Sequence, residues 1–137
     1  MAQTLGIWEG HVCACMDARR NQVYNALFLV EKGSILRRTE DRAIALSELK
    51  EELEHIDGPI YLVGDGSSLT YKTLSGAIPE LILPPEHRMH QRAVGVALLA
   101  EKKQSAGESG DGNALAPNYL RLSQAERERA EKMQKNQ

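Results

Sequence analysis

The hydrophobic period of this chain changes from strand to helix and back, and the order of those changes leaves few folds open. Residues 11–16 are short, apolar and partly β-favouring, and after Gln22 the chain runs Val-Tyr-Asn-Ala-Leu-Phe-Leu-Val. Asp17-Ala18-Arg19-Arg20-Asn21 between them is polar and short, and Glu31-Lys32-Gly33-Ser34 offers a second turn into residues 35–38. The chain therefore opens as an antiparallel, three-stranded meander. Leu46, Leu49, Leu53 and Ile56 then recur at helical spacing, with Glu40 and Asp41 expected in a first turn and Gly58-Pro59 stopping the run. Ile60-Tyr61-Leu62-Val63 is again continuous and apolar, the pattern of a fully buried strand, and it feeds a tight turn at Gly64-Asp65-Gly66-Ser67.

A short helix is expected from Ser67 or Ser68, carried by Leu69, Leu74 and Ile78, and Leu81-Ile82-Leu83 reads as another short strand closed by Pro84-Pro85. Residues 89–103 read as a longer helix whose Ala93, Val94, Val96, Ala97 and Leu98 form a broad apolar face that should pack closely. Residues 105–114 have the composition of a flexible loop, and residues 115–122 return as an extended segment. Ser123-Gln124-Ala125-Glu126 has the pattern of a capping box and starts a polar helix expected to fray. The order βββαβαβα plus a C-terminal tail implies an α/β fold with a mixed sheet. It is the chain order of one lobe of the actin, hexokinase and Hsp70-like ATPase architecture, which is ribonuclease H-like.

A length of 137 residues suits one domain and excludes two full ones. The formal charge of −2 leaves no global basic field for nucleic acid, so any RNA contact would be local. Residues 93–100, the longest strongly apolar stretch, are far short of the roughly 20 needed to span a bilayer. No basic and apolar leader pattern opens the chain, which points to the cytoplasm, and two cysteines fit that compartment. Cys13, Cys15 and His11 share one face of a strand. Positions i and i+2 are rooted roughly 6.5 to 7 Å apart, awkward for one zinc ion, so buried reduced thiols are expected.

Asp17-Ala18-Arg19-Arg20-Asn21-Gln22-Val23-Tyr24, Gly64-Asp65-Gly66 and Tyr119-Leu120-Arg121-Leu122-Ser123-Gln124-Ala125-Glu126, in that order, resemble the carboxy-terminal lobe of the TsaB family, also called YeaZ. The resemblance covers nearly the whole chain and implies a part in making tRNA threonylcarbamoyladenosine. Family members are partners of the catalytic subunit TsaD, alongside the ATPase TsaE and the carbamoyl-adenylate synthase TsaC, and the group is often filed as glycoprotease-like peptidases. A complete TsaB opens with another lobe of comparable size, bearing an Asp-Thr-Ser strand. By that comparison residues 1–10 are the end of a helix or linker from a missing lobe, and residues 11–104 are the lobe itself. The resemblance thus implies a half protein that supports TsaD without a catalytic set or cofactor of its own. The alternatives are a peptidase or nucleotide-binding protein, and an independent RNA-binding module.

Gly64, Asp65 and Gly66 stand where catalytic members of the superfamily have a turn touching adenosine, so they are candidates for a degenerate nucleotide edge. The competing reading is structural: glycines supply positive φ, and Asp65 or Ser67 caps the helix. Asp17, Arg19 and Arg20 lie on a tight hairpin connection, where guanidinium forks would take a phosphate or a partner's carboxylate, or pair with Asp17. His87 and His90 are three apart at a frayed helix start and are expected in solvent rather than on a metal. Residues 121–137 carry five basic residues and three glutamates, net +2, and Tyr119 is the nearest aromatic residue. Without stacking platforms a solvated helix fits better than an RNA-binding arm. An apolar face left bare by the missing lobe would favour a homodimer.

Overall fold

The first two strands form the centre of the molecule. β1 (Gly10–Asp17) and β2 (Gln22–Glu31) run antiparallel in unbroken register, from Gly10 opposite Val30 to Asp17 opposite Val23. The structure, a computed structural model, describes residues 1–5, 8–108, 110–114 and 116–120. In the β1–β2 turn, Arg19, Arg20 and Asn21 take positive φ values of 65°, 55° and 56° in succession. Each such residue with a Cβ costs roughly 1–2 kcal/mol, asparagine least. The turn holds because Ala18 donates its N–H to the Gln22 carbonyl, Gln22 donates to the Arg19 carbonyl, and the paired strands fix both ends.

Lys32 and Gly33, both at positive φ, make the two-residue hairpin into β3 (Ser34–Arg37), as a type I′ turn requires. The third strand is longer than its sequence suggests, and it is broken. Arg38 and Thr39 both donate N–H groups to the Leu27 carbonyl, and the Thr39 hydroxyl accepts the Leu27 N–H at 2.8 Å. The chain then resumes as β4 (Arg42–Ala45) along the first half of β2. Glu40 and Asp41 therefore lie in the bend between two strands, and helix α1 (Leu46–Leu53) begins only at Leu46. The free edge of β2 offers backbone partners that a helical turn at residues 40–45 would leave unused.

β5 (Ile60–Val63) lies parallel to β1 on its far side, and β6 (Leu81–Ile82) lies parallel to β5. The mixed sheet runs β3-β2-β1-β5-β6, with β4 sharing the outer edge of β2. α1 and α2 (Ser67–Leu74) cover one face, burying Leu46, Leu49, Leu53 and Leu74 against Cys13, Cys15, Val23, Leu27, Ile60 and Leu62. The other face presents Val12, Ala14, Val30 and Val63. It is covered by a 3-10 helix, Ala2–Leu5, whose Leu5 is fully buried, and by Trp8, whose ring lies 5.4 Å from that of Tyr61.

The helix expected over residues 89–103 forms as two pieces, α3 (Glu86–Met89) and α4 (Ala93–Ser105), with His90 and Arg92 extended between them. The cause is a tertiary hydrogen bond: the Met89 carbonyl accepts the Gly64 N–H at 2.6 Å. That bond anchors α3 to the end of β5. Close packing of α4 does not follow from its composition. Only Gly95 is buried, while Val94 and Val96 are 57% and 56% exposed and Leu98 and Leu99 are also open. Apolar residues lie all round α4, so no single contact covers them, and α4 rests mainly on the 3-10 helix Ala2–Leu5. A second 3-10 turn, Gly112–Ala114, falls in the segment expected as a loop. The helix expected from Ser123 lies outside the described residues. Among the described residues, no helix is long and apolar enough to cross a membrane.

Candidate functional site

Two of the sequence-level candidates, far apart in the chain, meet at one end of the sheet. Parallel pairing of β1 with β5 places the end of β1, and so the hairpin after Asp17, beside the turn that follows Val63. Gly64 has φ 104°, and a Cβ there would stand 2.1 Å from the Cys15 carbonyl oxygen. Gly66 has ordinary helical φ; its role is close approach, since its N–H donates to that same carbonyl at 3.0 Å and a Cβ would meet Asp17 N at 3.0 Å. The Asp17 N–H donates to Asp65 Oδ1 at 3.3 Å, tying the hairpin to the turn.

Asp65 is thus occupied with the hairpin and does not cap α2. Ser67 donates its hydroxyl to the Gly64 carbonyl and Thr70 donates to the Gly66 carbonyl at 2.9 Å, so α2 begins without a side-chain cap and its buried hydroxyls close the turn instead. Asp17 accepts the Arg19 N–H at 2.7 Å and pairs with its guanidinium at 3.8 Å. With the Arg19 side chain 87% exposed, that ion pair contributes little, about 0–1 kcal/mol. Arg20 is exposed beside it. The result is a rigid joint carrying two arginines and two carboxylates at its rim.

Beneath the joint lies a polar cluster that the sequence reading missed. Asn25 is buried on the core face of β2, and its amide donates to the Ala14 carbonyl at 3.0 Å and to Cys13 Sγ at 3.3 Å. Its carbonyl accepts Arg42 Nη2 at 3.2 Å, and Arg42 in turn forks onto Glu52, with Nη1 to Oε1 at 2.9 Å. The signal was available: Asn25 is the polar break in an apolar strand run, in phase with Val23 and Leu27.

Cys13 and Cys15 are buried and reduced, with their sulfurs 3.4 Å apart. The hydrogen bond with Cys15, together with burial, pushes the Cys13 thiol well up, while the same bond and those from Thr70 and Asn25 pull Cys15 down against burial. His11 is half-buried near them along β1, and burial and then the Arg38 charge lower its pKa. His87 is exposed on α3 and His90 lies past its end, so the two do not share a helix face. Among the described residues no three His, Cys, Asp or Glu side chains are grouped to hold a metal. On the opposite face, a groove of about 780 Å³ opens between the sheet and α4, lined by Met16, Tyr24, Phe28, Ile35, Leu99 and Tyr119.

No protein-family model matches the chain. It is 28% identical over 120 residues to the tRNA threonylcarbamoyladenosine biosynthesis protein TsaB of Bacillus subtilis, covering 87% of this chain and 51% of that protein. A crystal structure described as an uncharacterized protein with similarity to peptidase YeaZ from Pseudomonas aeruginosa matches with a TM-score of 0.57 and 18% identity, over 88% of this chain and 54% of that one. YeaZ from Pseudomonas aeruginosa matches with a TM-score of 0.54 and 18% identity, over 86% and 54%. The chain spans about half the length of these relatives. The mixed-sheet lobe expected from the element order is the fold observed.

Proposed function

We propose that this chain, TsaB/YeaZ-like in sequence and fold, serves in tRNA threonylcarbamoyladenosine biosynthesis as a non-catalytic, carboxy-terminal half of a TsaB-like subunit. The observation that carries this reading is the match to a curated TsaB running through 87% of the chain. In this reading residues 1–10 are the end of a linker or helix from another lobe, residues 11–104 are the supporting lobe, residues 105–114 are a loop, and residues 115–137 are an extended segment and a polar C-terminal helix. Its partners are a TsaD-like catalytic subunit and a TsaE-like ATPase, met through the complete two-lobed protein in the cytoplasm.

Two features support a partner's role over a catalyst's. The hydroxyls and amides of the site end are spent on the fold: Ser67 and Thr70 on the turn carbonyls, Asn25 on Ala14. The open surfaces are apolar, on α4 and in the groove beside it, as surfaces that receive another protein are. Arg19 and Arg20, held outward by the left-handed turn, are the groups we assign to a partner's carboxylate or phosphate. Gly64, Asp65 and Gly66 serve in this reading as the joint beneath them, rather than as a nucleotide edge.

The test is genetic. In cells carrying only the complementary lobe, loss of the modified nucleoside that is restored by supplying this chain supports the proposal, and undisturbed modification overturns it. The likeness of one structural relative to peptidase YeaZ favours a second reading, hydrolysis. Peptide or ATP turnover by the purified chain, lost on substitution of Asp17 or Asp65, would establish that reading instead. Binding of tRNA that weakens steeply with added salt would favour an RNA-binding module.

A further inference from the structure

The geometry points to Cys13 and Cys15 as a redox-responsive dithiol, which a hydroperoxide converts to a disulfide within strand β1. The inference stands on the core of the lobe and does not depend on the functional reading above. Two sulfurs on one strand face usually diverge, yet here they stand 3.4 Å apart, buried, on the strand at the centre of the sheet. Asn25 sets its amide against both, at 3.3 Å from Cys13 Sγ and 3.9 Å from Cys15 Sγ. The two thiols are unequal. Their mutual hydrogen bond lowers the pKa of the Cys15 thiol and, with burial, raises that of Cys13, while the Asn25 amide stands nearer Cys13 than Cys15. A nucleophile and a resolving thiol are thereby set side by side.

The chemistry balances with hydrogen peroxide as the oxidant. The Cys15 sulfur attacks one peroxide oxygen and breaks the O–O bond; the departing hydroxide takes up a proton and leaves as water, and Cys15 becomes a sulfenic acid. The Cys13 sulfur then attacks the Cys15 sulfur. The S–O bond breaks, and the displaced hydroxide leaves as water with the Cys13 proton. Two thiols and one peroxide yield one disulfide and two waters, with two electrons passing from sulfur to oxygen.

Both sulfurs are buried on the sheet face that α1 and α2 cover, so reaction waits on local opening, and those two helices are the elements that must yield. The product strains the sheet. Cα atoms two apart on a strand lie roughly 6.6–6.8 Å from one another, at the upper end of the range a disulfide spans, so β1 must pucker at Ala14. Ala14 is paired on both sides, with Ala26 and with Val63, and its carbonyl holds Asn25. Oxidation is thus transmitted to the hairpin and the turn.

The experiment treats the reduced full chain with hydrogen peroxide, blocks remaining thiols under denaturing conditions and measures the mass. The expected result is a monomer lighter by two hydrogens, restored by dithiothreitol, with a bridge located between Cys13 and Cys15 and a melting temperature lower by roughly 5 °C. Cys13→Ser should stop at a sulfenic acid on Cys15 that dimedone traps, and Cys15→Ser should react at least tenfold more slowly. Absence of the two-hydrogen loss in the wild-type chain overturns the inference, as does a bridge formed only between molecules. Equal trapping in the two variants overturns the assigned order of attack. Should either serine variant fail to fold, the wild-type mass and bridge mapping still decide the matter.

Discussion

Asp65 Oδ1 accepts the backbone N–H of Asp17 at 3.3 Å, a bond between residues 48 apart that fastens the first hairpin to the strand-to-helix turn. Around it the glycines let two backbones approach, and the hydroxyls of Ser67 and Thr70 close the turn from below.

Substitution should separate the two glycines. Gly64→Ala places a Cβ 2.1 Å from the Cys15 carbonyl at a φ of 104°, so it is expected to cost about 3 kcal/mol or more. Gly66→Ala, at ordinary φ with contacts of 3.0 Å, should cost about 1 kcal/mol. Urea denaturation of both variants gives the comparison; equal losses would contradict the roles assigned here.

Asn25→Leu removes the amide that holds the Ala14 carbonyl and leaves the partly buried Arg42 without its acceptor on β2. A loss of about 1–3 kcal/mol is expected from the groups left unpaired. Adding Arg42→Met should restore part of it if the two act as one network, and a double-mutant cycle measures the coupling.

The two helical surfaces should respond in opposite ways. Leu53→Ala, in the core beneath the sheet, is expected to cost about 2–5 kcal/mol. Leu98→Glu, on the open side of α4, should change the stability of the isolated chain by less than about 0.5 kcal/mol. In cells, that same variant should abolish complementation if α4 receives a partner. A large stability loss from Leu98→Glu would show that α4 is instead part of the core.

His11 gives stability a pH dependence of known sign. Its folded pKa is lowered from 6.5 by burial and Arg38, so the unfolded chain takes up a proton first as the pH falls. Its contribution to stability is intact above 6.5 and declines below that value, levelling off once the folded state is also protonated. His11→Gln should flatten this part of the pH profile in denaturant titrations; an unchanged slope would place its origin elsewhere.

The strands β1, β2 and β5 and the helices α1 and α2 were legible because their core residues recur at the period of the element they form: Val23 and Leu27 on a strand face, Leu46, Leu49 and Leu53 on a helix face. The candidates Gly64–Gly66 and Asp17–Arg20 were legible too, because glycines after a buried strand and charges in a short turn are local signals. Their meeting was not. It depends on β1 lying beside β5, a pairing between segments separated by three strands and a helix.

Local pattern also misjudged three places where a distant partner decided the outcome. Residues 40–45 became bend and strand because β2 had a free edge. The helix expected from residue 89 began only at Ala93 because Gly64 claimed the Met89 carbonyl. α4, apolar enough for a core, stayed open because Ala2–Leu5 already lay on the sheet face. Sequence periodicity by itself determined which segments are strands and helices and in what order, since each buries a stripe set by its own geometry. Tertiary structure alone decided which backbone groups and apolar surfaces found partners, because hydrogen bonds and buried area are satisfied by whichever neighbour arrives in space.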